Sequence, residues 1–406
     1  MTANIKASVA SGNIEIITSK SYAHRLLIAA ALTNEESVIE KVYLSNDVTA
    51  TLNCIKALGR EVIIEDMNNE SKKIIIRNND CIMPNELVFD CFESGSTLRF
   101  FIPIALTLGK KVTFKGTKKL LSRGLEPYFD ICCKQNIKVI QKDEEITFIG
   151  TLQSGDFFIP GNISSQFITG LLFACSMLDG DSRISLTTHL ESKNYVDITL
   201  DVLKKANIDI AFNQNTYYIK GGQKYSLKHS VVEGDYSNAA FFDALNYLGG
   251  NVRINGLNDS SYQGDKVYQK HFKDLSQGFC TIDLKDCIDL GPILFCFAGI
   301  NHGATFINTN RLKIKESNRI NDLQKELIKL GIEVIELDNQ VTVKKKVEKT
   351  INPVLDGSND HRIVMALSVL LTTCGGRISG IEAVKKSYPN FFEDLIKLGI
   401  EVEYES

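Results

Sequence analysis

Residues Leu327–Leu337, LIKLGIEVIEL, contain the pattern that decides the fold. The stretch starts as the end of an amphipathic helix, turns at Gly331 and continues as a strand in which apolar and charged residues alternate. Near its end the chain repeats these letters almost unchanged, as LIKLGIEVEYE over Leu395–Glu405 with the turn at Gly399. A helix–turn–strand segment that recurs this closely indicates a repeat rather than chance.

Earlier copies extend the repeat over the whole chain. They read IKALGREVIIE, CCKQNIKVIQ and LKKANIDIAF, and they turn at Gly59, Asn136 and Asn207. Glycine and asparagine are the residues that tolerate a left-handed helix C-terminus. A weaker copy, FKDLSQGFCTIDL, turns at Gly278. Six copies in 406 residues give a period of about 68, which predicts six α/β units better than one large sheet.

Length and composition predict a two-domain globular protein. A chain of 406 residues exceeds the size at which one core usually stops growing. The apolar fraction of 44% and the charged fraction of 23% are ordinary for a globular protein. The polar stretch Gly221–Asp235 follows the third repeat, and we take it as the candidate crossover between the two domains.

Charge and patterning argue against several classes of protein. The chain has 46 Lys and Arg against 49 Asp and Glu, a net charge of −3, which does not favour nucleic acid or an anionic membrane. Its apolar runs are shorter than the roughly 18–20 residues that cross a bilayer, and its N-terminus has no secretory pattern. Ten scattered cysteines without a CxxC pair predict reduced cytoplasmic thiols, and the six histidines form no metal motif.

Five apolar helices are predicted to begin with hydroxyl, amide or glycine residues, and four of these starts contain a basic residue. These starts are Ser19–Arg25 (SKSYAHR), Glu93–Arg99 (ESGSTLR), Gly161–Gln166 (GNISSQ, the one without a cation), Lys313–Arg319 (KIKESNR) and Ser358–Arg362 (SNDHR). A helix N-terminus carries unpaired N–H groups and a positive partial charge, so it suits phosphate and carboxylate. Ser, Asn or Asp there could equally act only as N-caps. Cations oppose the helix dipole, however, and a phosphate-rich ligand would compensate them.

Other motifs narrow the chemistry further. The chain has no GxxxxGK[ST] and no GxGxxG after a strand, which disfavours an enzyme that uses ATP or NAD. Two acids stand out, Asp289 in CIDLGP and Glu316 in KIKESNR. Taken alone, Asp289 is interpreted as a cap for the following helix. Glu316 is interpreted as an ion-pair partner of Lys315 or Arg319.

Together these motifs resemble the EPSP synthases (3-phosphoshikimate 1-carboxyvinyltransferases), members of the enolpyruvyl transferase family. The resemblance runs from about Ser19 to Phe392 and follows the family's order. Its motifs are SKSYAHR, ESGSTLR, LLSRGLEP, SSQF, ESKNYVDIT, VEGDYSNAAFF, CIDLGP, KIKESNR, NDHR and KKSYPNFF. KIKESNR with NDHR and KKSYPNFF is highly specific, whereas SGS or SSQ alone would be weak.

The resemblance implies an α/β fold of two globular domains, each of three βαβαββ units in an inside-out α/β barrel, with a cleft between them. Residues 15–230 are expected to form the domain on the shikimate 3-phosphate side. Residues 1–14 with 231–406 are expected to form the domain on the phosphoenolpyruvate side, which carries the catalytic acids. The N-terminal strand would thus return to the C-terminal domain.

The implied reaction transfers the carboxyvinyl group of phosphoenolpyruvate to the 5-hydroxyl of shikimate 3-phosphate, through a tetrahedral intermediate that releases phosphate. This is a step of the shikimate pathway to chorismate and aromatic amino acids. With the composition and charge, we expect a cytoplasmic monomer that needs no cofactor or metal and binds neither nucleic acid nor membrane. The implied catalytic residues are Asp289 for the 5-hydroxyl proton, Glu316 for the proton at C3, and Lys20.

Two sets of ligand contacts are implied by motif match. Shikimate 3-phosphate would be bound by Lys20, Ser21, Arg25, Ser164, Ser165, Gln166, Ser192, Tyr195, Asp289 and Lys315. Phosphoenolpyruvate would be bound by Lys20, Gly95, Arg99, Arg123, Gln166, Glu316, Arg319, Arg362 and Lys386.

Three alternatives remain at this level. A UDP-N-acetylglucosamine enolpyruvyl transferase would share the repeat, but it usually carries a reactive cysteine in a loop that corresponds to Lys110–Tyr128, where this chain has none. An RNA-end-processing protein built from similar units would need a basic surface and stacking aromatic residues. An anion-binding protein without catalysis would be expected to lack some of the acids and cations that are present here.

Overall fold

Five of the six predicted repeat turns place a left-handed residue between a helix and a strand. In the computed structural model, which describes residues 1–67, 70–78, 84–346 and 352–405, these five residues have a positive φ. The values are 80° at Gly59, 55° at Asn136, 61° at Asn207, 75° at Gly331 and 89° at Gly399. The predicted helix–turn–strand order is therefore confirmed at these positions.

The described elements alternate along the chain as the repeat requires. The strands are β1 Thr2–Ile5, β2 Ser11–Glu15, β3 Ser37–Val42, β4 Arg60–Asp66, β5 Lys72–Asn78, β6 Glu86–Asp90, β7 Lys111–Lys115, β8 Lys138–Gln141, β9 Glu145–Ile149, β10 Asp156–Ile159, β11 Ser182–Leu186, β12 Ile210–Asn213, β13 Thr216–Ile219, β14 His229–Val231, β15 Asn251–Asn255, β16 Cys280–Asp283, β17 Ala304–Ile307, β18 Val334–Leu337, β19 Gln340–Val343, β20 Val354–Asp356, β21 Gly376–Ser379 and β22 Val402–Glu405. The α-helices are α1 Lys20–Leu32, α2 Asn46–Ala57, α3 Gly95–Leu106, α4 Lys118–Leu121, α5 Glu126–Lys134, α6 Ser165–Cys175, α7 Lys193–Lys205, α8 Tyr236–Tyr247, α9 Tyr268–Gln277, α10 Gly291–Ile300, α11 Arg319–Ile328, α12 His361–Leu371 and α13 Phe391–Lys397. Short 3₁₀ helices lie at Gly264–Val267, Ile288–Leu290, Asn310–Ile314 and Ile381–Lys386.

The chain divides into two compact units, which we describe separately. The central unit is Thr18–Glu233, and the terminal unit combines Met1–Ile17 with Gly234–Ser406. The crossovers expected after residues 14 and 230 lie three residues before these boundaries. None of the described helices is long and apolar enough to cross a lipid bilayer.

The central unit contains three sheets with one topology. Their strand orders are β14-β3-β5-β4, β6-β7-β9-β8 and β10-β11-β13-β12. In each sheet the first two strands are parallel and the other two pairs are antiparallel. In the second sheet α3 connects the parallel pair β6 and β7, and α5 precedes the hairpin β8–β9. This is the predicted βαβαββ order.

The terminal unit repeats this topology twice and departs from it once. Sheets β16-β17-β19-β18 and β20-β21-β1-β22 follow the pattern, and β1 pairs antiparallel with both β21 and β22. The N-terminal strand therefore completes the last sheet, as expected. The remaining sheet has only the parallel pair β2 and β15.

The fourth repeat was therefore predicted wrongly in detail. Gly278 has an extended φ of 169°, and the strand after it, β16, pairs with β17 of the next sheet. The strand that follows Gly278 therefore begins the next sheet and does not form a hairpin with the strand after it.

Helices form the interior and sheets the exterior of both units. In α3 every residue except Ser96 is buried, and in α12 every residue is buried. A helix that is apolar on all sides must be surrounded by protein. The strands are half-exposed, and β6 alternates exposed and buried residues along its length. This arrangement confirms the inside-out α/β fold.

Replacing Gly399 with alanine tests the left-handed turn. No described heavy atom lies within 4 Å of the position that a Cβ would take, so the cost is conformational alone. We expect the substitution to lower the free energy of unfolding by about 1–2 kcal/mol, measured by urea denaturation. Gly278→Ala is the matched control, because Gly278 is equally open but extended, and it should be neutral or slightly stabilising. Equal effects of the two substitutions would contradict this account.

Candidate active site

The five predicted helix starts are confirmed as helix N-termini. They begin α1, α3, α6, α11 and α12. In each, the residue before the helix caps it by accepting a backbone N–H, and these caps are Ser19, Ser94, Ser164, Asn318 and Asp360. The capping alternative thus explains part of each motif, but it does not account for the cations.

In the central unit, Lys20 is the first residue of α1 and forms an ion pair with Asp47 of α2. The Nζ–Oδ2 distance is 2.8 Å, and the two side chains are only 18% and 14% exposed. Ser21 follows and is half-buried, and its carbonyl accepts a 2.7 Å hydrogen bond from Nη1 of Arg25.

Arg25 connects three helices through neutral acceptors. Its guanidinium donates to the Thr199 hydroxyl at 2.7 Å and the Tyr195 carbonyl at 3.1 Å, both on α7, and to Thr169 of α6 at 3.4 Å. It also lies 5.0 Å from the centre of the Phe100 ring, a cation–π distance. Burial lowers the pKa of Arg25 to about 10, so the group is charged at neutral pH. A buried cation bonded to neutral oxygens favours an added anion.

The starts of α3 and α6 are joined by Gln166. Its Oε1 accepts from Arg99 at 2.8 Å, and its Nε2 donates to the Ser96 hydroxyl at 2.9 Å. Arg99 also donates to the Arg123 carbonyl at 3.1 Å. A Cβ at Gly95 would lie 3.0 Å from Nη1 of Arg99 and 3.1 Å from Nη1 of Arg123. Glycine at this position therefore allows two guanidinium groups to approach the first turn of α3.

The predicted phosphate-binding serines lie at the starts of α6 and α7. Ser164 caps α6 and accepts from the Gln166 N–H at 3.3 Å, and Ser165 is the first residue of that helix. Ser192 precedes α7 in a left-handed conformation, φ 55°, and does not use its side chain as a cap. Such backbone strain in a residue other than glycine is concentrated at functional sites.

In the terminal unit, Arg319 is the centre of an ion-pair network although it is only 1% exposed. It contacts Asp360 at 2.8 Å, Glu316 at 2.7 Å and Asp289 at 3.1 Å. Burial acts to lower the pKa of Arg319, but the three carboxylates raise it. The predicted ion pair between Glu316 and Arg319 is therefore confirmed.

The interpretation of Asp289 as a helix cap is wrong. Asp289 lies in the 3₁₀ helix Ile288–Leu290, and α10 begins after it without a side-chain cap. Its carboxylate instead contacts Lys315 at 3.2 Å, Arg319 at 3.1 Å and Arg362 at 3.1 Å. Burial acts to raise the pKa of Asp289, but these three cations outweigh it and hold that pKa well below its usual value. Asp289 is therefore ionised at neutral pH.

Lys315, which contacts Asp289, and Lys386 are also among the predicted cations of this unit. Burial lowers the pKa of Lys315, although the neighbouring Asp289 acts in the opposite direction. Lys386 ends the 3₁₀ helix Ile381–Lys386 and donates to the carbonyl of Asn359 at 2.8 Å. Asn359 precedes Asp360, so Lys386 is tied to the loop that caps α12.

Two acids in these clusters were not predicted from the sequence. Asp360 lies within the quoted motif NDHR, is fully buried and bonds to Arg319 and to the Arg362 N–H, yet only Arg362 was selected from that motif. Asp47 was missed entirely. Its signal was the sequence Ser45-Asn46-Asp47 at the start of a helix, which places an acid in the first turn after a serine cap.

The two clusters differ in how their buried arginines are bonded. In the terminal unit the contacts of Lys315, Arg319 and Arg362 include three carboxylates. In the central unit Lys20 is paired with Asp47, and the buried guanidinium of Arg25 is bonded to hydroxyl and carbonyl oxygens. The buried Arg25 guanidinium therefore favours an anionic ligand, and the helix N-termini of the central unit favour one as well.

This fold is that of the enolpyruvyl transferases. EPSP synthase from Acinetobacter baumannii superposes with a TM-score of 0.77 at 18% identity, covering 100% of both chains. The enolpyruvyl transferase NikO from Streptomyces tendae gives 0.78 at 13% identity, covering 100% of this chain and 98% of its own. At these identities the likeness concerns the fold.

Sequence comparison establishes the family. Residues 6–395 match the sequence profile of EPSP synthase (3-phosphoshikimate 1-carboxyvinyltransferase), and the chain belongs to this family. The 3-phosphoshikimate 1-carboxyvinyltransferase of Clostridium novyi is 42% identical over 428 residues, covering 98% of this chain and 97% of that protein. The Clostridium kluyveri enzyme of the same name is 40% identical, with coverages of 97% and 96%. The resemblance read from the sequence is confirmed.

Replacing Arg319 with methionine should destabilise the terminal unit. The substitution leaves three carboxylates close together without their buried cation, and we expect a loss of about 3–5 kcal/mol near pH 7 in urea denaturation. The pKa of Asp289 would rise in the variant, because one of the three cations that lower it is lost. Protonation would then relieve the repulsion, so the deficit should shrink as the pH falls towards about 5.

Arg377→Met is the control for this substitution. Arg377 pairs with Glu405 at 3.8 Å, and both side chains are about half exposed, so its loss should cost less than about 1 kcal/mol. Equal effects at Arg319 and Arg377 would show that the network does not stabilise the unit.

Proposed function

We propose that the chain catalyses transfer of the carboxyvinyl group of phosphoenolpyruvate to the 5-hydroxyl of shikimate 3-phosphate, with release of phosphate. Membership of the EPSP synthase family supports this reaction. The structural observation that carries the proposal is the set of helix N-termini where cations and ionised acids lie side by side.

The charges of the substrates fit these clusters. Each substrate carries one phosphate and one carboxylate, so the site must bind roughly six negative charges, which would repel strongly in a partly desolvated site without cations. The central unit supplies Lys20 and Arg25 near the start of α1, Arg99 near the start of α3, and Arg123 with its guanidinium beside Gly95. Arginine is suited to phosphate and carboxylate because its planar donors bind both oxygens of an anion at once.

The division of residues between the two substrates is part of the proposal. Shikimate 3-phosphate is assigned the hydroxyls at the starts of α6 and α7, with Ser21, Arg25 and Tyr195 beside them. Its other proposed contacts are Lys20, Gln166, Asp289 and Lys315. Phosphoenolpyruvate is assigned Gly95, Arg99, Arg123, Gln166, Arg362, Lys386, Lys20, Glu316 and Arg319.

The existing contacts of Arg319 limit how it can bind phosphoenolpyruvate. Its guanidinium is engaged by three carboxylates and is almost fully buried. These carboxylates accept from four of its five N–H groups, so phosphoenolpyruvate could contact it through two N–H groups only by replacing one of those carboxylates. Glu316 is the one with the most exposed side chain, at 23%, and is therefore the partner most easily replaced.

Binding of the substrates to the cations of the terminal unit also accounts for the proposed acid–base chemistry. With three cations around it, Asp289 has too low a pKa to be an effective base for a hydroxyl. Anionic substrates that bind Arg362 and Lys315 would withdraw positive charge from Asp289 and raise its pKa. Asp289 would then accept the 5-hydroxyl proton, while Glu316 exchanges a proton with C3 of phosphoenolpyruvate. Lys20 would stabilise negative charge that develops between the reacting groups.

Location and assembly remain predictions from the sequence. We propose a cytoplasmic monomer that uses the two small-molecule substrates without cofactor, metal, nucleic acid or membrane. The net charge of −3 and the cysteine pattern support this proposal.

The reaction itself is tested by phosphate release. The purified chain is incubated with phosphoenolpyruvate and either shikimate 3-phosphate, UDP-N-acetylglucosamine or no acceptor, and free phosphate is measured. We expect stoichiometric release only with shikimate 3-phosphate, because the serine-rich helix starts offer hydroxyl and N–H donors to its phosphate. Release only with UDP-N-acetylglucosamine would contradict the proposed acceptor.

Replacing Asp289 with asparagine tests the proposed base. The amide keeps the shape of the side chain but cannot accept the proton, so turnover should fall by about 10²- to 10⁴-fold. Asp283→Asn is the control, since Asp283 is an exposed acid in the same unit that bonds Lys285 and Asn308. Turnover within twofold of wild type for folded Asp289→Asn, on the order of assay error, would exclude the base role.

A further inference from the structure

Helices α1 and α2 are joined by two polar contacts one helical turn apart. Lys20 and His24 on α1 are four residues apart, as are Asp47 and Thr51 on α2, so each pair lies on one face of its helix. Nζ of Lys20 is 2.8 Å from Oδ2 of Asp47, and Nδ1 of His24 is 2.7 Å from Oγ1 of Thr51. The first contact is partly exposed and the second is completely enclosed.

Both contacts meet at Thr97 in the first turn of α3. Its hydroxyl lies 2.8 Å from that of Thr51 and donates to the Asp47 carbonyl at 3.4 Å. The Ser94 hydroxyl, which caps α3, lies 2.7 Å from it. His24, Thr51, Thr97 and Ser94 are each at most 1% exposed. We call His24, Thr51 and Thr97 the buried chain.

The protons of the buried chain can be placed by requiring every donor to have an acceptor. If Nδ1 of His24 carries the hydrogen, it donates to Thr51, Thr51 donates to Thr97, and Thr97 donates to the Asp47 carbonyl. Ser94 then donates to the second lone pair of Thr97. Only the lone pair of His24 Nε2, which is buried without a partner among the described residues, stays unsatisfied.

The other tautomer is less favourable. It would place a hydrogen on Nε2, and an orphaned buried N–H is rarer in proteins than an orphaned acceptor. Burial, followed by the charges of Lys20 and Arg25, lowers the pKa of His24 well below its ordinary value, so the ring is neutral. The hydrogen bonds of the buried chain therefore all point in the same direction, from the N–H of His24 to the backbone carbonyl of Asp47.

We propose that His24, Thr51 and Thr97 are positioning residues that act through Asp47 to aim the ammonium group of Lys20 at the reacting substrates. The inference rests on the proposed function, which assigns Lys20 its role. A lysine side chain has several rotatable bonds, so its charge is well directed only if its partner is held rigidly. Asp47 is held by its ion pair on one side and by Thr97 on the other.

Thr51 is the position at which this proposal can be tested most cleanly. Thr51→Val keeps the side-chain shape but removes the hydroxyl that His24 and Thr97 share. Because a displacement of about 1 Å can cost 10²-fold in rate, we expect kcat/KM to fall by about 10- to 100-fold. Thr51→Ser restores the hydroxyl and should recover most of the activity.

A double-mutant cycle with Lys20→Met separates positioning from a general structural effect. If the buried chain acts through Lys20, Thr51→Val should change kcat/KM by less than about twofold once Lys20 is absent. Asp47→Asn is measured in the same cycle, so the test survives if Thr51→Val does not fold. Thr113→Val is the control, because Thr113 and Thr147 also form a buried hydroxyl pair, 2.9 Å apart, between β7 and β9.

The possible results are distinct. Loss of activity in the wild-type background but not with Lys20→Met supports the proposal, provided Thr113→Val retains full activity. An impaired Lys20→Met variant beside fully active Thr51→Val and Asp47→Asn variants would overturn the proposal and leave the proposed function intact. An undiminished loss in the Lys20→Met background would also overturn it. Wild-type activity of Lys20→Met would remove the proposed role of Lys20, and the inference with it.

Discussion

The structure depends on one constraint: helices that are apolar on all sides must be enclosed, and their ends leave backbone groups without partners in the helix. α3 and α12 are buried along almost their whole length, and half-exposed strands form the outer layer. Their first backbone N–H groups have no partner within the helix. Each unit therefore concentrates hydrogen-bond donors and positive partial charge at a few helix starts, and its functional side chains lie there as well.

The two units compensate these charges in different ways. In the terminal unit the cations are paired with Asp289, Glu316 and Asp360, so the cluster is nearly balanced without ligand. In the central unit, the buried guanidinium of Arg25 is bonded to hydroxyl and carbonyl oxygens. In the first arrangement a substrate anion would replace a carboxylate, whereas at Arg25 it would add a charged partner to neutral ones. This difference suits a reaction that needs both proton transfer and anion binding.

Hydrogen bonds to uncharged side chains hold the helix starts together alongside the ion pairs. Gln166 joins the starts of α3 and α6, and Thr97 joins the contacts between α1 and α2. Such buried networks have little freedom to rearrange, because any broken bond leaves an unsatisfied polar group in the interior. They can therefore hold flexible cationic side chains in a narrow range of positions.

The sequence by itself determined the repeat, its left-handed turns and the helix starts, because these depend on local backbone preferences that Gly331, Asn136 or Ser94 express within a few residues. Its family motifs also determined which side chains to examine. Only the tertiary structure decided how those side chains are paired. Asp289, expected to cap a helix, binds three cations, and Gly278 leads into the next sheet instead of a hairpin. Asp47 and Thr97 acquire their partners from helices distant in sequence, and contacts of that kind are set by packing, which no local pattern records.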